Sequence, residues 1–351
     1  MSTADRLRVV VATPLDEALC ERIEAAEPRI ELVRDQSLLP PMRWAADHPG
    51  DPSFQRTPEQ QRAFEALLRS ADALYGFPDE SPAALARTVR ANPRLRWVQA
   101  MAAGAGSQLK AADLTREELD RIVVTTSAGV HGAPLAEFAV FGVLAGAKTL
   151  PRLLRQQARK EWTGRWCMKQ VSEMTVIVLG LGAIGQQTVS RLAALGASVI
   201  GVNRTPVEAE GLAELIGPEQ LIEAIPRADA LVVALPGTAA THQLVSAEVL
   251  ARVRPGIIVV NVGRGTVIDE AALIGALESG RVGYAALDVF HDEPLPQDSP
   301  LWSHPNVLVS PHTAGLNEAE DRLIADLFVT NATRLLDGEP LLNVVDTVEF
   351  Y

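Results

Sequence analysis

The chain has 351 residues, of which 47% are hydrophobic and 22% charged, with 25 glycines and 23 prolines. Those proportions exclude collagen-like, low-complexity and wholly disordered chains, and at about 100–200 residues per domain they predict two domains. Asp and Glu outnumber Lys and Arg by 44 to 32, a formal charge of −12, so no broad basic face is expected for nucleic acid or an anionic bilayer. Any anionic ligand must be held by a few local donors.

The segment 1–6 has no basic run leading into an apolar core, so no secretory signal is expected there. Residues 7–12 predict a buried strand, 16–26 a helix and 29–33 a second strand. A helix over 58–70, a short strand at 73–75, a helix over 82–91 and a strand at 96–100 complete a βαβα rhythm. Between Gln36 and Gln60 the periodicity fails, where Pro40, Pro41, Pro49, Pro52 and Pro58 crowd around Trp44 and Phe54. A surface loop is expected, with a loop that reaches a cleft and shapes substrate choice as the alternative.

Residues 134–157 predict one long helix with Leu135, Phe138, Ala139, Gly142, Val143, Leu150 and Leu154 at helical spacing. It has more apolar surface than one fold face needs, which predicts a homodimer. Its longest uncharged apolar stretch, 138–147, is short of the roughly 20 residues of a membrane helix. The chain is therefore expected to be cytoplasmic, with no membrane partner. Strands follow at 175–179, 198–202, 230–235, 257–262 and 284–287, separated by helices. A last helix over 318–337 carries an Asn317-x-x-Glu320 start signal and stops at Gly338. Cys20 and Cys167 have no partners at metal-ligand spacing, so neither a disulfide framework nor a metal site is expected.

Gly180-Leu181-Gly182-Ala183-Ile184-Gly185 follows a strand and opens a helix. That context makes G-x-G-x-x-G a dinucleotide fingerprint: one glycine for the turn, one for pyrophosphate approach and one for helix–strand packing. The first strand of the chain instead runs into Thr13-Pro14-Leu15-Asp16, with no glycine and no expected cofactor. Where an NAD enzyme has an acid at the end of the second strand, this chain has Asn203-Arg204-Thr205. A guanidinium and a hydroxyl suit a 2′-phosphate, so NADP(H) is expected to be preferred, with NAD(H) possible. Pro236, Val262 and Gly315 are counted among the cofactor-binding positions.

Arg264, Glu293 and His312 sit just beyond the strands of the second series, where ligands of open α/β sheets bind. Arg is a bidentate carboxylate holder, and a carboxylate beside an imidazole favours its protonated form. His48, His131, His242, His291 and His304 are read as packing or surface residues.

At these residues the sequence resembles the D-isomer-specific 2-hydroxyacid dehydrogenases over nearly its whole length. The likeness rests on 180–185, on 261–265 with Asp269-Glu270, on Ala286-Leu287-Asp288-Val289-Phe290 with Glu293-Pro294, and on Pro311-His312. It implies that Arg264 binds the substrate carboxylate and polarises the keto oxygen. It implies His312 as general acid, Glu293 as its partner, and Asp288 at the nicotinamide carboxamide. Ala103, Gly104 and Ala105 would offer backbone N–H groups to the same carboxylate. Trp302 is read from the residues themselves as lining the substrate pocket, with a core role as the alternative. Ser127–Gly132 and Arg204 look most like the glyoxylate/hydroxypyruvate reductases. Gly106, Phe138 and Gly263 depart from the family pattern, where Asp, His and Ala or Ser are usual.

The expectation is two doubly wound parallel-sheet α/β domains with a cleft between them. Residues 1–128 plus 317–351 form a flavodoxin-like substrate domain, and 129–316 a Rossmann cofactor domain. The reaction is reduction of a small 2-keto acid to the D-2-hydroxy acid. Two alternatives stay open: a dinucleotide-sensing, corepressor-like binding protein, and a formate dehydrogenase, which has Gln where Glu293 stands.

Overall fold

The computed structural model describes residues 6–348 and 350. Residues 1–5, part of the segment read above for a targeting signal, lie outside the described residues. The chain divides into two compact units, Met1–His131 with Leu316–Tyr351, and Gly132–Gly315.

The first unit begins with β1 (Leu7–Val11), α1 (Glu17–Ala26) and β2 (Ile30–Val33). Then come α2 (Pro58–Ser70), β3 (Ala73–Tyr75), α3 (Pro82–Ala91), β4 (Trp97–Gln99), α4 (Gly106–Ala111), α5 (Arg116–Arg121) and β5 (Val123–Thr125). The strands form one sheet in the order β2-β1-β3-β4-β5, every pair parallel. Parallel strands buried on both faces are apolar throughout, and Val9, Val10, Leu74, Trp97 and Val98 are fully enclosed. α2 begins with a reciprocal capping box between Thr57 and Gln60, which satisfies two otherwise orphaned N–H groups.

The second unit starts with α6 (Gly132–Ala147) and α7 (Leu150–Arg159). It continues through β6 (Thr175–Leu179), α8 (Ala183–Ala194), β7 (Ser198–Val202), β8 (Leu212–Ile216), α9 (Leu221–Ala224) and β9 (Ala230–Val233). α10 (Ala247–Arg252), β10 (Ile257–Asn261), α11 (Glu270–Glu278), β11 (Val282–Leu287) and β12 (Val307–Val309) follow. Its seven parallel strands run β12-β11-β10-β9-β6-β7-β8, so the order reverses between β6 and β9. α6 lies tightly on this sheet: a Cβ at Gly142 or Gly146 would stand 2.8 Å from Val260 Cγ2 or 2.6 Å from Ile258 Cγ1.

The chain then returns to the first unit as α12 (Glu320–Asp337). Phe328 of this helix stacks on Trp97 with ring centroids 4.7 Å apart and meets Tyr75 edge-on at 5.1 Å. Fully buried aromatic area of this kind is what ties the C-terminal helix to the N-terminal sheet.

Three sequence expectations need correction. The segment 134–157 is two helices bent by 64°, with Thr149 at φ 52° in the break. Pro151, second in α7, has no N–H and a ring that would clash one turn back, so it belongs to the first turn of a new helix. No single helix among the described residues is long and apolar enough to cross a membrane. At α12 the Asn317 side chain accepts from Ala319 N–H at 3.0 Å, and the helix starts at Glu320 with no side-chain capping bond. The strands β5 and β8 were absent from the expectation. β8 is an edge strand of Leu-Ala-Glu-Leu-Ile, helix-favouring residues that take strand conformation by pairing with β7.

The Pro-rich segment is an ordered loop held by polar contacts inside the first unit. Arg43 and Asp47 form a two-pronged ion pair, and Ala46 N–H donates to Asp321 Oδ2 at 2.9 Å. Glu320 Oε1 lies 3.3 Å from His48 Nε2 and 3.0 Å from His131 Nε2. His48 and His131, read from sequence as unrelated packing or surface residues, therefore share one buried carboxylate.

Candidate active site

In register, Asn261 of β10 pairs with Leu287 of β11, and Leu287 with Val309 of β12. Three neighbouring parallel strands thus end at one edge of the sheet. Leu179 of β6 pairs with Val233, which pairs with Asn261, so the glycine fingerprint leaves from the same edge. Every catalytic candidate and every cofactor candidate belongs to the second unit and follows one of these strand ends or that of β7.

His312 and Glu293 meet: His312 Nδ1 is 2.7 Å from Glu293 Oε2. A carboxylate only accepts, so Nδ1 donates and Nε2 is left for another partner. The other oxygen, Oε1, accepts from Phe290 N–H at 3.0 Å, which fixes the plane of the carboxylate. Both side chains are partly open to solvent, at 48% and 35%.

Arg264 leaves β10 through a turn braced by Asn261. Its Oδ1 accepts from Gly263 N–H at 3.0 Å, and its Nδ2 donates to Arg264 O at 3.1 Å. The guanidinium is exposed and, among the described residues, bonds its neighbouring carbonyl, Gly263 O, at 2.8 Å, with most of its donors directed elsewhere. Gly263 departs from the family pattern for a steric reason, since a Cβ there would lie 2.4 Å from Leu235 O. At Gly265 a Cβ would lie 1.9 Å from the Phe290 carbonyl, so the Arg264 turn packs directly on the segment that holds Glu293. Glu270 Oε2 ties the same segment by accepting from His291 N–H at 3.0 Å.

The residues of the fingerprint fit a dinucleotide. Gly180 has φ 88°, and a Cβ on Gly185 would fall 1.8 Å from Gly180 O, so neither position tolerates a side chain. A Cβ on Gly182 would meet nothing within 4 Å, which leaves the start of α8 open beside Ala183 and Ile184. Asn203 Oδ1 accepts from Leu181 N–H at 3.2 Å, and its Nδ2 donates to Thr205 O at 2.9 Å. The end of β7 is thereby braced against the glycine turn, with Arg204 and Thr205 exposed. Asp288 provides the most specific sign: it is buried, and its Oδ2 has no hydrogen-bond partner. A buried carboxylate oxygen without a donor is costly, and an amide N–H₂ such as a nicotinamide carboxamide supplies one.

The remaining candidates are placed as follows. Val262 is buried, Pro236 is exposed, and Gly315 is the last residue of the second unit. Trp302 is half exposed, with its ring N–H on Pro296 O at 2.9 Å. Ala103 and Gly104 are exposed and Ala105 is buried, in the turn between β4 and α4 of the first unit. Asn261, Ser310 and Glu270, which hold the site from behind, carried no role in the sequence reading. The signal for each was its place within one or two residues of a strand end or helix start. Among the described residues no group of His, Cys, Asp and Glu can hold a metal ion.

Residues 140–314 match the family model described as "D-isomer specific 2-hydroxyacid dehydrogenase, NAD binding domain". The chain is 31% identical over 266 residues to glyoxylate/hydroxypyruvate reductase A of Salmonella newport, covering 74% of this chain and 83% of that protein. The chain belongs to the D-isomer-specific 2-hydroxyacid dehydrogenase family. A solved member from Xanthobacter autotrophicus Py2, in complex with NADPH and MES, superposes with a TM-score of 0.78. It is 32% identical, with 99% of this chain and 100% of that chain covered. D-3-phosphoglycerate dehydrogenase of Mycobacterium tuberculosis H37Rv is 34% identical over 303 residues, 85% of this chain but only 53% of that longer protein. As a family member the chain is an NAD(P)-dependent 2-hydroxyacid dehydrogenase, an enzyme rather than a corepressor-like sensor. Its two parallel sheets are those of the family fold.

Proposed function

We propose that the chain reduces a small 2-keto acid of the glyoxylate or hydroxypyruvate type to the D-2-hydroxy acid, preferring NADPH. The observation that carries this reading is the His312–Glu293 contact of 2.7 Å beside an Arg264 with free donors. When bound, the reduced dinucleotide supplies the hydride for the keto carbon. His312 gives the proton from Nε2 to the keto oxygen, while Glu293 holds Nδ1 and the ring's orientation. Arg264 binds the carboxylate of the substrate and stabilises the charge growing on the oxygen. Asp288 Oδ2 would accept from the nicotinamide carboxamide, and Gly180, Gly182, Ala183, Ile184 and Gly185 would hold the pyrophosphate. Pro236, Val262 and Gly315 join the cofactor contacts. The family likeness adds backbone N–H groups of Ala103, Gly104 and Ala105 for the carboxylate, and the half-exposed Trp302 is proposed as a wall for the substrate.

The NADPH preference rests on the absence of an acid at 203–205 and on exposed Arg204, whose fork matches a phosphate. The similar enzyme from Xanthobacter holds NADPH in its crystal structure. The keto-acid class is supported by the glyoxylate/hydroxypyruvate reductase relative. Glu at 293, where formate dehydrogenases have Gln, argues for a proton-donating histidine pair. We also propose a homodimer built on α6 and α7, where Phe141, Leu153 and Leu154 are exposed together with Leu195 of α8. Residues 1–128 plus 317–351 are proposed as the substrate domain, and 129–316 as the cofactor domain.

The test is a panel of glyoxylate, hydroxypyruvate, pyruvate and larger 2-keto acids, each run with NADPH and with NADH, plus formate with NAD⁺ and NADP⁺. Highest kcat/KM with glyoxylate or hydroxypyruvate and NADPH is expected. Formate oxidation without keto-acid reduction overturns the assignment.

A further inference from the structure

Asp288 has an unequal pair of oxygens. Three donors converge on Oδ1: Ser310 Oγ at 2.6 Å, Thr313 N–H at 2.9 Å and Ala314 N–H at 3.0 Å. Oδ2, in the same buried carboxylate, has none. The backbone of Asp288 joins in, its carbonyl accepting from His312 N–H at 2.9 Å. One residue at the end of β11 thus closes the whole turn from Ser310 to Ala314, and inside that turn His312 has φ 54°. A non-glycine residue in the left-handed region costs on the order of 1 kcal/mol or more and persists only where its surroundings hold it.

Ser310 differs from the other two donors. Thr313 and Ala314 donate from the backbone, so no side-chain substitution removes their bonds. Ser310 donates from a side chain that is itself buried, and its bond is the shortest of the three. With the two amides it fills Oδ1 and leaves Oδ2 as the carboxylate oxygen without a donor among the described residues.

We propose that Ser310 is a positioning residue for the reduction. Through Asp288 it keeps one carboxylate oxygen aimed at the nicotinamide end of the cofactor and couples cofactor seating to the turn that carries His312. This rests on the proposed dinucleotide-dependent reduction. Without the hydroxyl, Oδ1 keeps only the Thr313 and Ala314 amides, the carboxylate swings more freely about its side-chain torsions, the carboxamide meets a less firmly aimed acceptor, and the His312 turn loosens.

The experiment compares wild type, Ser310→Ala and Ser310→Thr by calorimetric titration and steady-state kinetics. NADPH is set against adenosine 2′,5′-bisphosphate, and NADH against ADP-ribose, so that each pair differs at the nicotinamide end. Ser310→Ala is expected to weaken the complete dinucleotide about tenfold, the size of one hydrogen bond to a charged group. Binding of the fragments should stay within about twofold, kcat should fall more than the keto-acid KM rises, and Ser310→Thr should restore both. A merely structural role weakens dinucleotide and fragment alike, and that result overturns the inference, as does unchanged dinucleotide affinity in Ser310→Ala. The two readings fail separately: a wild-type chain that reduces no 2-keto acid overturns the proposed function. Normal reduction with unaltered nicotinamide binding in Ser310→Ala overturns the role of Ser310.

Discussion

His312 Nδ1 lies 2.7 Å from Glu293 Oε2, and the histidine that makes this contact is held at φ 54°. The pair is built by two strand ends, β11 leading to Glu293 and β12 to His312, so neither segment alone makes the geometry. His312→Asn removes the proposed proton donor while keeping a polar side chain that tolerates the left-handed region. kcat is expected to fall by about 10²–10⁴, the usual range for loss of a general acid. NADPH affinity should remain within a few-fold. Single-turnover kinetics with glyoxylate checks the first expectation and fluorescence titration the second; wild-type turnover in the variant removes the acid from His312.

Arg204 is exposed beside Asn203, whose side chain is already committed to Leu181 and Thr205. The guanidinium, with the exposed Thr205 hydroxyl, is therefore the group proposed to meet a 2′-phosphate. Arg204→Ala is expected to weaken NADPH about tenfold or more, one to two charge-assisted hydrogen bonds, and to leave NADH nearly unchanged. Calorimetric titration with both cofactors decides it, because equal loss on each would make Arg204 an adenine-stacking or structural residue.

Gly265 is closed in by the Phe290 carbonyl, 1.9 Å from where its Cβ would stand. Gly265→Ala must push apart the Arg264 turn and the Glu293 segment. A stability loss of about 1–3 kcal/mol is expected from overpacking, with a larger proportional loss of kcat/KM than of NADPH affinity. Denaturant unfolding alongside keto-acid kinetics measures both. Normal kinetics in Gly265→Ala would show that the turn relaxes without moving Arg264.

What the sequence made legible depended on how local the cause was. Gly180 and Gly185 are demanded by a turn of six residues, and the strand before and helix after that glycine spacing pointed to the cofactor unit. Arg264, Glu293 and His312 were legible because each follows an apolar run that could only be a buried parallel strand. Pro151 marks the break between α6 and α7, but continuous helical spacing on either side concealed it. His48 and His131 were read as packing or surface residues, and their shared carboxylate was not legible: His48 and Glu320 are 272 residues apart, and the return of α12 to the first sheet brings them together. No periodicity or motif encodes such a pairing.

That cluster sets a pH dependence of stability. Burial draws the Glu320 carboxyl up, but bonds from His131 and His48 outweigh it and hold the group down to about 2. Its contribution is full above the ordinary value of 4.5 and is lost as pH falls toward 2. Burial likewise pushes the Glu80 carboxyl up, to about 7, partly countered by the His48 charge. Here the folded state holds the proton more tightly than the unfolded chain, so the contribution is present below 4.5 and is lost as pH rises through 7. His48 faces Glu320, Asp321 and Glu80. Burial alone would lower its pKa, but the Glu320 bond and the three acidic charges raise it above 6.5, so its contribution too fades at alkaline pH. Glu80→Gln removes the carboxylate that must ionise inside the fold. It is expected to leave Tm near wild type at pH 4.5 and to stabilise at pH 8 by at most about 3 kcal/mol. Glu320→Gln is expected to destabilise by about 2 kcal/mol at pH 6, because it strips two rings of their charged acceptor. Thermal melts of wild type and both variants from pH 4.5 to 8.5 check the signs, and a Glu80→Gln advantage that shrinks as pH rises contradicts this account of the cluster.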